Sequence, residues 1–259
     1  TSATTAERPV LGRMFLYEQP QLLTKEEHGG LGLSAVPQPY DFVRRVRALP
    51  LATLEFAAAQ RDYPIVFSDS ELPAPLAVLG IADDLNLYVD ESGNWDRAHY
   101  IPYYVRCHPI SFAAARDDQL AVVIDRAAPA ISEEPDEPFF EGDKLAEKMQ
   151  ARVDFSARYY YEGTKTRAFC ERLKALELFT TQQVMHRPAG GEEEQPIGRY
   201  VAIDSDKLGK LDAETLRALN ADGSLAAIYA QVFSLQNWNR LLDRRARRGL
   251  PMTPAASAP

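Results

Sequence analysis

The sequence predicts an α+β fold, with an antiparallel β-meander or small curled sheet packed against a helical C-terminal half. Three observations carry this reading. Between Tyr63 and Ile124, short apolar runs alternate with turn chemistry at Ser68-Asp69-Ser70, Asp83-Asp84 and Glu91-Ser92-Gly93-Asn94, the spacing of about five antiparallel strands. From Lys144 to Leu178, Leu145, Met149, Arg152 or Val153, and Ser156 follow one helical stripe, which Phe155, Tyr159, Phe169, Leu173 and Leu176 extend. A second stripe, Leu225, Ile228, Val232, Leu235, Trp238, Leu241 and Leu242, marks the last helix. The chain then divides into a β-rich meander at 14–130, an acidic, proline-rich linker or loop at 131–143, and a mainly helical region at 144–248 with one strand near 199–203. Residues 1–13 and 249–259 carry no such pattern and are expected to be disordered.

The elements follow in order. Met14-Phe15-Leu16-Tyr17 is a short apolar run. The glycines of His28-Gly29-Gly30-Leu31-Gly32 have the wrong spacing for a dinucleotide loop, so the stretch reads as a loop with His28 facing solvent. The alanine-rich end of LPLATLEFAAAQ favours a short helix that stops before Tyr63-Pro64. Within Leu85–Asp90, Leu87 and Val89 alternate with Asn86, Tyr88 and Asp90, as a half-buried strand requires. Pro102 makes Tyr103–Cys107 either one helical turn, the reading preferred here, or an edge strand. Ala127 to Asp143 holds three prolines and six acidic residues, the composition of a connection, although Phe139-Phe140 should dock on the body. Gly163 marks a weak point or kink in the long helix. Arg187 to Pro196 reads as a mobile hairpin tip and Arg199–Ile203 as a strand rejoining the sheet. Asp212 is placed to cap the helix from Ala213, with Gly223 as its stop and Ser224 capping the last helix.

Composition narrows the function classes. The 259 residues are 46% hydrophobic and 25% charged, ordinary for a globular chain that needs no disulfide or metal staple. A net charge of -8 disfavours binding to nucleic acid or an anionic membrane. The two cysteines, Cys107 and Cys170, form no CxxC pair and no disulfide framework, so a cytoplasmic location is expected, with periplasm or cell surface as alternatives. The N-terminus lacks the pattern of a secretory signal, and no apolar run reaches the roughly 20 residues a membrane helix needs.

No constellation compels a reaction, and no catalytic residue, metal ligand or cofactor is assigned. The four histidines, 28, 99, 108 and 186, are scattered and make no HxH or HExxH spacing. Cys107 lies between Arg106 and His108, but adjacent side chains diverge on either a strand or a helix, so it reads as a small core residue. The polar and aromatic cluster of Asp90 to Trp95 has two readings. It is a hairpin turn with Trp95 packed on the next strand, or Trp95 joins Tyr100, Tyr103 and Tyr104 in an aromatic wall for a ligand or partner. Asp90, Arg106, His108 and Asn237 are the polar groups that could converge on a pocket between the two halves. In the last helix Asn237 and Asn239 bracket Trp238 against helix propensity, which points to a constrained role such as hydrogen bonding to a neighbouring loop. The basic run Arg244-Arg245-Ala246-Arg247-Arg248 is expected to serve the helix C-terminus and solvent.

Several separated blocks resemble one family. HGGL at 28–31, YPIVF at 63–67, LYVDESGNW at 87–95, YIPYYVR at 100–106, TRAFCERL at 166–173, GRYVAIDSDKL at 198–208 and SLAAIYAQVFSLQNWNRLLDR at 224–244 are similar to the SapC family of bacterial proteins, over roughly residues 14–245. The resemblance implies association with surface layers, and a peptide-permease label that the lack of a membrane-spanning run contradicts. It also implies gene neighbourhoods holding flavin-dependent tryptophan halogenases, cupin-like oxygenases and TonB-dependent receptors. It supplies no catalytic residues.

The expected function is therefore a soluble accessory or interaction protein with a protein or peptide partner, working with a peptide- or aromatic-compound-handling system. The alternatives are a small-molecule binder or enzyme with a pocket between the β and helical halves, and a surface-layer component.

Overall fold

The computed structural model describes residues 14–114, 120–187 and 193–251. The expected disorder at 1–13 and 252–259 and the core of the hairpin tip at 188–192 lie outside the described residues.

The fold is mixed α+β, with open antiparallel sheets and helices mostly in the C-terminal half. The chain forms β1 (Pro20–Leu22), α1 (Lys25–His28), β2 (Gly32–Leu33), β3 (Ala48–Pro50), α2 (Phe56–Ala59), β4 (Ile65–Phe67) and β5 (Pro75–Val78). Next come α3 (Tyr103–Cys107), β6 (Ile110–Ala114) and β7 (Leu120–Asp125). The acidic stretch supplies β8 (Ile131–Ser132), β9 (Glu137–Pro138) and β10 (Phe140–Glu141), and β10 pairs with β11 (Lys144–Leu145). Beyond it run α4 (Glu147–Ala175), β12 (Phe179–His186), β13 (Gln195–Ile203), α5 (Ser205–Leu208), α6 (Ala213–Ala221), α7 (Ser224–Ser234) and α8 (Asn237–Arg247).

The largest sheet has the order β12-β13-β4-β5-β3, so it draws strands from both halves of the chain. Two three-stranded sheets, β1-β7-β6 and β8-β2-β9, complete the N-terminal part. This corrects the expected five-strand meander. Between β5 and α3 the backbone is irregular apart from one bridge, Val89 to Trp95. The alternation at Leu85–Asp90 does not mark a wet face, because Asn86 and Tyr88 are as buried as Leu87 and Val89. Asn86 Nδ2 donates to the Val43 carbonyl and its Oδ1 accepts from the Tyr88 amide at 2.8 Å. Such local side-chain bonds compete with an extended ladder.

α4 is about 43 Å long at 1.5 Å per residue and joins two cores. Met149 and Val153 pack with Leu31, Ile110, Ile124 and Phe139, while Phe169, Cys170 and Leu173 pack with Leu49 and Phe56. The helix is continuous through Gly163, where a weak point or kink was expected. Phe139 docks fully buried, as expected. Among the described residues no helix is long and apolar enough to cross a membrane.

The C-terminal helices hold the irregular segments. The single last helix expected from Ser224 is two helices, and Gly223, in the left-handed region, precedes the first. Gln231 Nε2 donates to the Ile65 carbonyl at 2.8 Å, and Ser234 Oγ accepts from the Ile65 amide at 2.8 Å. Asn237 Nδ2 donates to the carbonyls of Gln60 at 2.6 Å and Tyr63 at 3.1 Å. The basic run is not simply solvated. Arg244 Nε donates to the Leu87 carbonyl at 2.6 Å, and Arg248 donates to Leu87 and Val89 at 2.9 and 3.1 Å. Arg245 is buried, forks onto Asp83 at 2.7 and 3.2 Å, and reaches the Pro251 carbonyl at 2.7 Å, so the start of the tail is held as well. Asp212 caps α6, as expected, with its carboxylate accepting from the Thr215 amide.

α4 ends in a two-bond reversal. Leu178 N–H donates to the Leu173 carbonyl and Glu177 N–H to the Lys174 carbonyl, both at 3.0 Å, with Glu177 at φ 54°. Glycine usually fills that left-handed position because a Cβ is crowded there. Glu177→Gly is expected to stabilise the fold by about 0.5–1 kcal/mol, read as a higher urea midpoint at unchanged m-value.

Candidate functional site

The turn at Asp90 to Trp95 forms as a hairpin closure. Asp90 Oδ1 accepts from the Asn94 amide at 2.8 Å, and Gly93 sits at φ 69°, where a Cβ would meet Gln38 Cβ at 2.7 Å. Trp95 is 3% exposed and packs against Tyr40 and Tyr88 at centroid distances of 5.9 and 6.4 Å. Among the described residues no ring pairing links Trp95 to Tyr100, Tyr103 or Tyr104, so the expected aromatic wall does not assemble around it.

Those tyrosines turn toward Glu55 and α4 instead. Tyr103 stacks on Phe155 at 4.8 Å and 20°, with the Arg106 guanidinium 4.8 Å from the Tyr103 ring and 4.7 Å from that of Phe155. Tyr104 meets Tyr159 edge-on at 6.1 Å and donates to the Phe15 carbonyl. Glu55, which the sequence reading passed over, is buried in the run LPLATLEF. Its carboxylate accepts from the Ala52 amide at 2.8 Å, the Tyr103 amide at 2.7 Å and the Tyr100 hydroxyl at 3.1 Å. Burial raises its pKa, against the pull of these donors and the Arg106 charge. Cys107 is buried beside it, and burial pushes its thiol up to about 11, which fits an inert core residue.

A second set of residues lines a large cleft around His108. His108, just past that helix, stacks on Phe42 at 4.0 Å and 18° and meets Tyr17 edge-on at 5.2 Å. Its Nε2 lies 3.4 Å from Asp125 Oδ2 at the end of β7, and the two side chains are 8% and 3% exposed. Asp125 also accepts the amides of Gln19 at 2.8 Å, Glu18 at 3.1 Å and Ala127 at 3.2 Å. Burial raises this carboxyl, but the bonds from His108, Gln19, Glu18 and Ala127 together hold it below its ordinary value of 3.8. The pair sits in the wall of a cleft of about 1050 Å³ whose apolar lining includes Met14, Phe15, Val36 and Pro39. Glu18 and Asp41 add carboxylates, and among the described residues no lysine or arginine lines it.

Of the polar groups expected to converge, only Arg106 and His108 come together, lining an adjoining hollow of about 430 Å³. Asp90 stays in its turn. Asn237 is buried against Gln60 and Tyr63, the loop-bonding role its position suggested, while Trp238 is half-buried 5.1 Å from Tyr200 and Asn239 is exposed. His28, expected in solvent, is 1% exposed, with Nδ1 near the Thr24 carbonyl and Nε2 near Gln21 Oε1, each at 3.2 Å. Burial lowers its pKa. Among the described residues no group of three His, Cys, Asp or Glu side chains is placed to hold a metal ion. The sequence reading missed Tyr17, Phe42 and Asp125. A carboxylate ending the apolar run LAVVID was the available signal.

Fold and cleft together define a mixed α+β protein with an aromatic-lined, acid-flanked cavity in its N-terminal part. The chain belongs to the SapC family, whose model matches residues 23–241. That match covers His108 and Asp125 and begins after the Met14–Tyr17 segment that lines the cleft. Neither the curated proteins nor the solved structures give a match to the chain.

Asp125→Asn leaves one acceptor oxygen for four donors, so a loss of about 2–3 kcal/mol is expected at neutral pH. The sign with pH follows from the lowered carboxyl. Its contribution is whole above the ordinary value of 3.8 and is lost as pH falls through the lower folded value, because the unfolded chain takes up the proton first. Urea unfolding from neutral to strongly acidic pH should therefore show the wild-type and Asp125→Asn curves converging in acid. Asn237→Ala strips a donor from two buried carbonyls and should cost about 2 kcal/mol in the same assay.

Proposed function

We propose that this SapC-family chain is an accessory binding protein whose cleft receives an aromatic ligand, neutral or positively charged. The observation that carries this is the Phe42–His108–Tyr17 stack in a cavity of about 1050 Å³ whose charged lining, among the described residues, is acidic. Ring faces and edges favour an aromatic guest. The carboxylates Glu18 and Asp41 favour an ammonium over an anion, Asp41 less so because it pairs with Arg44 at 2.9 Å. The Asp125 bonds hold the imidazole in place before anything binds, which lowers the ordering cost of association. This reading places the pocket within the N-terminal part instead of between the two halves. It suits a role beside a system that handles peptides or aromatic compounds.

A second reading, engagement of a protein or peptide partner, is favoured by Tyr229 and Phe233. They stack at 5.8 Å on α7 while 43% and 59% exposed, and exposed aromatics are enriched at interface hot spots.

The test of the first reading is a titration with tryptamine followed by NMR of the histidine imidazoles, which number four. Saturable shifts are expected at His108, with weaker binding of indole-3-acetate. Glu18→Gln, which removes an exposed carboxylate, should raise the tryptamine Kd about two- to fivefold. An unmoved His108 signal, or indole-3-acetate binding as tightly as tryptamine, would defeat the proposal.

A further inference from the structure

α8 and the irregular segment it clamps enclose a second hollow of about 510 Å³, lined by His99, Arg240, Asp243, Arg244, Arg247 and Arg248. Four guanidinium groups against one carboxylate stand in this lining, in a chain whose net charge is -8. We propose that this is a binding site for a small anion of the phosphate-ester or diphosphate class.

The arginines share one helix face, because 240, 244, 247 and 248 fall at i, i+4, i+7 and i+8. Like charges at that spacing repel, and a bound anion would reverse the sign of that cost. Two of them are fixed without being neutralised. Arg240 Nη1 donates to the Arg61 carbonyl at 2.8 Å, and Arg248 Nη2 to those of Leu87 and Val89. Backbone carbonyls orient a guanidinium but carry no net charge against it. Arg244 pairs with Asp96 and lies over the Tyr88 ring at 4.4 Å, and His99 Nδ1 is 3.2 Å from Asp96. Asp90 and Glu91 act on Arg248 from the neighbouring turn. Arg247 makes no ion pair or hydrogen bond among the described residues.

A purely structural role accounts for Arg244 and Arg248, which tie α8 to Leu87 and Val89. It accounts in part for the exposed Arg240, whose one bond reaches the Arg61 carbonyl, and does not account for Arg247. Guanidinium forks match phosphate oxygens, and the hollow falls within the volume range of small-molecule sites. The net charge of the whole chain opposes approach to an anionic bilayer, so the ligand is taken to be soluble.

The experiment is isothermal titration of the full chain with pyrophosphate at constant ionic strength, paired with flotation on vesicles containing phosphatidate. One-site pyrophosphate binding is expected, with a Kd about tenfold higher or more in Arg247→Gln and an unchanged thermal midpoint without ligand. Arg240→Gln should weaken binding in the same direction. Vesicle binding that Arg247→Gln abolishes, with no pyrophosphate heat, would keep the phosphate chemistry and assign its source to a lipid headgroup. No arginine-dependent binding in either arm, or equal affinity in Arg247→Gln, overturns the proposal.

Discussion

Buried backbone outside helices and sheets must still find hydrogen-bond partners, and in this chain side chains of the C-terminal helices supply them. Gln231, Ser234 and Asn237 recur at intervals of three residues along α7 and into α8, and together they bond the backbone of Gln60, Tyr63 and Ile65. β4 begins at Ile65 and sits inside the largest sheet, so these amide and hydroxyl groups fix where that sheet starts. Gln231 Oε1 accepts from the Ile203 amide at 3.2 Å as well, linking β13 to the same helix. Polar groups this deep are costly unless bonded, which couples helix placement to sheet placement. The largest sheet thus takes strands from both halves of the chain, and these helices are bonded to it.

The cleft uses the same device with a carboxylate. Asp125 ends β7 and gathers the amides of Glu18, Gln19 and Ala127, so the segment from Tyr17 to β1 is anchored by a charge as well as by strand pairing. His108 completes the set and is itself held by Phe42 and Tyr17. The site is thus assembled from four separate stretches, around residues 17, 42, 108 and 125, none carrying a recognisable motif.

That dispersal explains what the sequence could and could not disclose. The helical stripes at Met149–Leu173 and Ile228–Leu242 were legible because a helix shows its buried face as a local period, and Asp212 was legible because capping acts over three residues. Asn237 was legible as an inconsistency, a weak helix former read as lying within the last helix, which the buried bonds to Gln60 and Tyr63 explain. The stretch Leu85–Asp90 misled because burial on both sides imitates alternation when Asn86 and Tyr88 satisfy their polar atoms inside the core. Arg245 misled for the converse reason. A basic run at a helix end reads as solvated, and only the fold brings Asp83 to it. His28, Glu55 and Asp125 are buried through partners distant or local that no spacing rule selects. In each case the missing information was which atoms would satisfy a buried polar group.

The two proposed sites then differ in sign for a structural reason. At the cleft the fixed ionic group is a carboxylate, and amide N–H groups hold it. At α8 the fixed groups are guanidiniums, and carbonyl oxygens hold them. An irregular segment exposes both kinds of backbone group, and each kind recruits the side chain of complementary polarity. Once recruited, that side chain has lost its rotamer freedom to the fold, so a ligand meeting it bears less of the ordering cost. The backbone bonds leave net charge behind, because a peptide dipole can orient an ion without cancelling it. Fixed charge in a concave, partly dehydrated wall attracts counter-charge more strongly than the same group waving in water. The need to satisfy buried irregular backbone and the binding proposed for the two sites thus rest on the same hydrogen bonds.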